Sequence, residues 1–193
     1  MVSKLYFRHG AMNSGKSTAL LQVAFNYEER GQRVLLTKPA VDTKGDAKVV
    51  SRLGMVRSVD FLTLPKDNLR ELVHDLASKQ EVDCLLIDEA QFLTREQVDQ
   101  AMEIAVLDGI PVLAYGIRTD FLTNGFPGSI RLLEIAHSLE ELKTICRCGK
   151  KALFNARLKN GVFVFDGAQV AIDGDEVTYE SLCPACYYAK LGK

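Results

Sequence analysis

An α/β fold is predicted, with a central parallel sheet that carries a phosphate-cradling loop and a small cysteine-bearing unit after it. Three observations predict it. Strand-like and helix-like segments alternate up to about residue 120. A glycine-rich loop lies between the first strand and the first helix. Two close cysteine pairs come only after residue 140, where helical periodicity fades.

Taken in order, residues 4–8 read as a strand running into Gly10, and residues 17–30 as a helix. Leu20, Ala24 and Tyr27 keep the helical spacing there, and Gly31 suits its C-terminal stop. Residues 33–38, with Val34, Leu35 and Leu36, read as a second strand. Asp67 can cap a helix carrying Leu69, Leu72, Val73 and Leu76. Residues 83–87 form an apolar run of the length of a buried parallel strand. Thr94-Arg95-Glu96-Gln97 has the pattern of a capping box, followed by Val98, Ala101, Met102 and Ala105 on one helical face and then Gly109. Residues 110–115 read as another buried strand. The texture changes after about residue 140, where Gly149, Gly161, Gly167 and Gly174 mark turns. The expected division is a loop-bearing domain at 1–140 and a small domain at 141–193.

The chain has 193 residues, 47% hydrophobic and 25% charged, which suits a globular protein with a buried core. Its formal net charge is −1, so no global basic field holds a polynucleotide, and nucleic acid is not the expected partner. The first residues lack the long apolar stretch of an export signal. Residues 104–117 are apolar but broken by Asp108, Gly109 and Pro111, too interrupted to span a membrane. A cytoplasmic location is therefore expected, where five cysteines mean metal ligands or core thiols rather than disulfides.

Gly10-Ala11-Met12-Asn13-Ser14-Gly15-Lys16-Ser17 matches G-x-x-x-x-G-K-S. The glycines let backbone N–H groups turn toward phosphate oxygens, and the following helix adds the positive end of its dipole. Lys16 can reach the β- and γ-phosphates, and the Ser17 hydroxyl can ligate Mg²⁺. A nucleoside triphosphate is the ligand this pattern implies.

Cys84-Leu85-Leu86-Ile87-Asp88-Glu89-Ala90-Gln91-Phe92 places two carboxylates where a buried strand meets a loop. Ligands of open parallel sheets sit at such carboxyl ends. Asp88 is positioned to hold Mg²⁺, and Glu89 to accept a proton from an attacking hydroxyl or water. Asp-Glu-Ala-Gln alone also suits a helicase-type ATPase, but those motors use two lobes and this chain has room for one. Cys84, on the strand itself, reads as a small core residue.

Cys146-Arg147-Cys148 and Cys183-Pro184-Ala185-Cys186 supply four thiols that suit a closed, tetrahedral structural Zn²⁺ site. C-x-x-C is ordinary ligand spacing, whereas C-x-C is tighter, and Gly149 permits the sharp turn it needs. Four unrelated thiols remain the alternative. A bound zinc would clamp residues 159–179, otherwise a long loop.

Together these pieces resemble the thymidine kinase family of the cytosolic, zinc-containing type. The matching segments are the loop from Gly10 to Thr18, Asp88-Glu89-Ala90-Gln91-Phe92, Tyr115-Gly116-Ile117-Arg118-Thr119-Asp120-Phe121, and Tyr179-Glu180-Ser181-Leu182-Cys183-Pro184-Ala185-Cys186, in the family's order. The resemblance implies transfer of the γ-phosphate of ATP to the thymidine 5′-hydroxyl, with Glu89 as general base, Lys16 steadying the charge, and Ser17 and Asp88 serving Mg²⁺. It implies that Gly10, Ala11, Met12, Asn13, Ser14, Gly15, Lys16, Ser17 and Thr18 hold the nucleotide. Met12, Asp88, Glu89, Gln91, Phe92, Phe121 and Phe126 would surround the nucleoside, and a zinc-anchored lasso loop at 159–179 would close over the base through Val170, Ile172, Gly174 and Tyr179. It further implies a homotetramer and feedback inhibition by thymidine triphosphate. Read without the family, Phe92, Phe121 and Phe126 are core residues, and Asp42 is a turn residue. His9, His74 and His137 take no role. Asn155 stands where some members carry a small hydroxyl residue beside the thymine 5-methyl group. The rival readings are a kinase for another deoxynucleoside and a zinc-bearing ATPase acting on nucleic acid.

Overall fold

Strands with no polar face need cover on both sides, and three segments here are of that kind. Cys84–Ile87 and Val112–Gly116 are buried throughout, and Val34–Pro39 nearly so. They form the middle of a parallel sheet in the computed structural model of the protein, which describes residues 3–40, 47–169 and 177–192. In chain order the strands are β1 Leu5–His9, β2 Val34–Pro39, β3 Lys48–Val50, β4 Val56–Ser58, β5 Phe61–Thr63, β6 Cys84–Ile87, β7 Val112–Gly116, β8 Ser138–Glu141, β9 Phe154–Lys159, β10 Val162–Val164 and β11 Val177–Leu182. The helices are α1 Lys16–Glu28, α2 Leu69–Ala77, α3 Arg95–Val106, α4 Pro127–Ile135 and α5 Pro184–Lys190.

The main sheet has the order β5-β2-β6-β7-β1-β8, with every neighbouring pair parallel. Side-chain alternation divides its core in two. Leu85, Ile87, Val112 and Ala114 point to the face covered by α2, α3 and α4. Cys84, Leu86, Leu113 and Tyr115 point to the face where Leu20, Leu21 and Ala24 of α1 pack. Cys84 is the core thiol expected, and burial pushes its pKa up to about 12.

The capping box at Thr94 is present in full, with Gln97 returning its side chain to the cap. The cap of α2 is Asn68, not Asp67. Asn68 Oδ1 accepts from the N–H groups of Arg70 and Glu71, while Asp67 accepts from Leu64 N. Alternation of strands and helices also runs past residue 120. Pro127 opens α4, a position where its missing N–H costs nothing, and β8 adds the sheet's outer strand beside β1. The expected division at 140/141 therefore falls inside β8.

The later residues form a second, antiparallel sheet in the order β10-β9-β11, with its own core of Cys146, Ala152, Ala156, Leu182, Cys183 and Tyr187. The expected loop at 159–179 is partly sheet. Asn160 and Gly161, both at positive φ, make a two-residue turn from β9 into β10. Asn-Gly is a hairpin signal legible in the sequence. Asp42, Val170, Ile172 and Gly174 lie outside the described residues.

Candidate active site

The first strand delivers the chain to Gly10, whose N–H donates to Gly116 O at 3.3 Å. A Cβ on Gly10 would stand 2.3 Å from the Leu142 carbonyl oxygen, so only glycine fits. Asn13 and Gly15 take φ of 66° and 79°, which folds the loop tightly before α1 starts at Lys16. Lys16 Nζ donates to the carbonyls of Gly10 (3.2 Å) and Ala11 (2.9 Å) and reaches Ser14 Oγ at 3.5 Å. Burial lowers the Lys16 pKa, against the pull of Glu89 and Asp88. Met12, Asn13, Gly15, Lys16, Ser17 and Thr18 line a cavity of about 700 Å³, together with Glu89. Gly10, Ala11 and Ser14 contribute by holding Lys16. The turn between β3 and β4 adds Arg52 and Leu53 to the rim, residues with no motif to announce them.

At the end of β6, Asp88 N donates to Thr37 O at 2.9 Å, and its Oδ2 accepts from Ser17 Oγ at 3.5 Å. Burial, reinforced by the charge of Glu89, pushes the Asp88 carboxyl up to about 6. Two hard oxygen donors thus face each other beside the phosphate loop, a set that fits Mg²⁺. Glu89 has left-handed backbone, φ 50° and ψ 37°, a conformation that costs a non-glycine residue about 1 kcal/mol or more. Its Oε2 accepts from Gln91 Nε2, and Gln91 Oε1 accepts from Ile117 N at 3.2 Å. Gln91, 1% exposed, is therefore a strut between Glu89 and the end of β7.

A second cavity, of about 390 Å³, opens on the other side of Glu89. Met12, Glu89, Gln91, Phe92, Phe121, Phe126 and Tyr179 line it, along with Asn155. Phe92 and Phe126 meet edge to face at 5.4 Å. Phe121 and Phe126 are buried as core residues are, Phe92 is half-buried, and all three wall the cavity. The second sheet reaches this cavity through Met12. Met12 N donates to Asn155 Oδ1 at 2.7 Å, and Met12 O accepts from Ser181 Oγ. Tyr187 Oη donates to Phe121 O at 2.7 Å.

The sulfurs of Cys146, Cys148, Cys183 and Cys186 lie within 4.8 Å of one another, with Cys148 and Cys183 at 3.5 Å. Four sulfurs around a tetrahedral zinc stand about 3.8 Å apart, so this set fits that ion. Cys183 caps α5, and Gly149, at φ 84°, closes the C-x-C turn with its N–H on Cys146 O at 2.8 Å. Backbone N–H groups bring the Cys146 pKa down to about 6, while the neighbouring thiols push Cys186 up to about 12. A cation among them is what lets all four become thiolates together.

The thymidine kinase family model matches residues 3–187. The chain is 50% identical to the thymidine kinase of Idiomarina loihiensis, over 99% of both chains. It is 49% identical to that of Legionella pneumophila strain Paris, over 96% of this chain and 90% of that protein. The thymidine kinase of Rhodopirellula baltica is 49% identical, over 94% of this chain and 86% of that protein. The chain belongs to the thymidine kinase family.

Within this thymidine kinase family chain, the two motif segments and the cysteine pairs converge as the sequence predicts, and Met12 and Glu89 belong to both cavities. Sequence reasoning missed Ile117, Gln169 and Val177 on the second cavity's wall, and Arg157 and Ser181 behind it. Ile117 and Ser181 stood inside quoted motifs, and Gln169 and Val177 inside the expected lasso segment. Nothing in the local pattern of Arg157 marks it, because its partners Ala168, Gln169 and Tyr179 are brought to it by the fold of the second sheet. No helix among the described residues is long and apolar enough to cross a membrane.

Proposed function

We propose that the chain transfers the γ-phosphoryl group of ATP to the 5′-hydroxyl of thymidine, giving thymidine monophosphate and ADP. The observation that carries this reading is the place of Glu89, whose carboxylate stands between a phosphate-type cavity and a smaller, aromatic-walled one. The triphosphate lies along the loop at residues 10–18, with its γ end toward Glu89. The nucleoside fills the second cavity, between Phe92, Phe121, Phe126 and Tyr179. Glu89 accepts the 5′-proton as the O5′–Pγ bond forms and the bond from Pγ to the β,γ-bridging oxygen breaks. Lys16 leaves its loop carbonyls for the β- and γ-oxygens and balances their charge. Ser17 and Asp88 would hold Mg²⁺, which supplies further neutralisation when bound. The four cysteines hold a structural zinc that fixes the second sheet, and with it Asn155 and Tyr179.

The second sheet with its cysteine site acts as the nucleoside-side cover, and the main sheet with its loop as the phosphoryl-transfer platform. The family resemblance extends the proposal to a cytoplasmic homotetramer inhibited by thymidine triphosphate, which would occupy both cavities at once. A panel of thymidine, deoxycytidine and deoxyguanosine with γ-labelled ATP tests the acceptor. Label is expected in thymidine monophosphate. Preferential labelling of another nucleotide, or ATP hydrolysis that answers to polynucleotide and ignores thymidine, would refute the reading.

A further inference from the structure

Arg157 lies on β9 and is 5% exposed. Its Nε donates to Tyr179 Oη at 3.1 Å, its Nη1 to Ala168 O at 2.8 Å, and its Nη2 to Gln169 O at 2.9 Å. The guanidinium carbon sits 3.7 Å from the centre of the Phe121 ring, a close cation–π stack. Tyr179, Gln169 and Phe121 all line the second cavity, and none of them lines the first. Gln169 carries the network one step on, donating from Nε2 to Asp120 Oδ2 at 3.2 Å, and Asp120 is another wall residue.

No carboxylate pairs with this guanidinium among the described residues; carbonyls, a phenol and a ring face hold it. Burying a cation without a counter-ion is costly, and here each of the three guanidinium nitrogens finds an acceptor. Three separate stretches of chain meet on one rigid fork. Phe121 follows β7, residues 168–169 follow β10, and Tyr179 lies in β11. A lysine would supply the charge at one point but not the planar fork that spans two carbonyls and a phenol while stacking on a ring.

We propose that Arg157 is a positioning residue for the nucleoside, setting the spacing between Phe121, Gln169 and Tyr179 from behind the cavity wall without touching the substrate. The inference rests on the nucleoside kinase reading above. Its effect is one-sided, because none of the groups it holds borders the phosphate cavity.

The test is steady-state kinetics on the full-length R157A and R157K proteins, with zinc content and melting temperature as fold controls. Wild-type turnover of thymidine is measured first; its absence would count against the kinase reading and not against Arg157. With that turnover established, R157A should raise KM for thymidine at least about tenfold and change KM for ATP less than about twofold. R157K, which keeps the charge and loses the fork, should show the same split to a smaller degree, at least about threefold. Should R157A fail to fold, the R157K ratio alone decides. Equal rises in both KM values, or no rise in either, would overturn the proposal and leave Arg157 as ordinary core.

Discussion

The first cavity takes most of its lining from one stretch, residues 12–22, whereas the second cavity collects Met12, Glu89, Phe121, Asn155 and Tyr179 from segments far apart in the chain. The difference is physical. A phosphate chain is recognised by backbone N–H groups and one helix end, so a short local sequence suffices. The second cavity is an aromatic-walled slot, and residues from two separate sheets must come together to make it. The first cavity is thus encoded by spacing, and the second by tertiary packing.

Glu89 is where the two regions meet, so its loss should have the largest effect. Glu89→Gln keeps the side-chain shape and removes the proton acceptor. Turnover should fall about 10²–10⁴-fold while thymidine affinity, read by calorimetry, stays within a few-fold of wild type. Near-normal turnover would remove Glu89 from the chemistry and leave its strained backbone unexplained.

The cysteine site tests whether the second cavity alone depends on the docked sheet. Metal analysis of untagged protein should give about one zinc per chain. Cys183→Ser should lose that zinc and weaken thymidine binding tenfold or more, about 1.4 kcal/mol, with ATP affinity changed far less. A variant that keeps both zinc and thymidine affinity would disconnect the metal from the nucleoside cavity.

Asn155 sharpens the comparison in the opposite direction. Its Oδ1 holds the N–H of Met12, and Met12 lines both cavities. Asn155→Leu leaves that donor unpaired, which costs about 1–3 kcal/mol. KM for ATP and for thymidine should then rise together, unlike the one-sided shift expected at Arg157. Asn155→Asp keeps an oxygen in place and should spare the ATP side.

How much could be read in the chain follows the same division. The loop from Gly10 to Ser17, the strand ending at Asp88 and the capping box at Thr94 rest on local chemistry, and each stands where spacing predicts. The parallel sheet was legible because buried strands have no polar face. The β9–β10 hairpin was overlooked although Asn160-Gly161 announces it. The α2 cap moved one residue because Asp67 and Asn68 are both competent acceptors, and only the helix register chooses between them. Arg157 could not be found by pattern, since its partners lie more than ten residues away, and Ser181, though inside a quoted motif, was marked there by the neighbouring cysteines and not by its bond to Met12.

The smallest expected effect lies outside both cavities and serves as their control. Asp108 accepts from Arg70 Nε at 2.9 Å and Nη2 at 2.7 Å, and it meets His74 Nε2 at 2.9 Å. The Arg70 guanidinium holds the Asp108 pKa below its ordinary value of 3.8. A carboxyl depressed on folding stabilises the protein above its unfolded pKa and ceases to do so as pH falls through the folded one. Asp108→Asn should therefore lower the melting temperature by about 3 °C at neutral pH. The gap to wild type should close on acidification, as pH falls past the ordinary carboxyl value and through the lower folded one. Both KM values should stay at wild-type level throughout, because the pair ties α2 to the end of α3, remote from Met12 and Glu89. A shift in either KM would mean that stability of the sheet's outer helices is felt in the cavities, and the contrast drawn between them would have to include that common term.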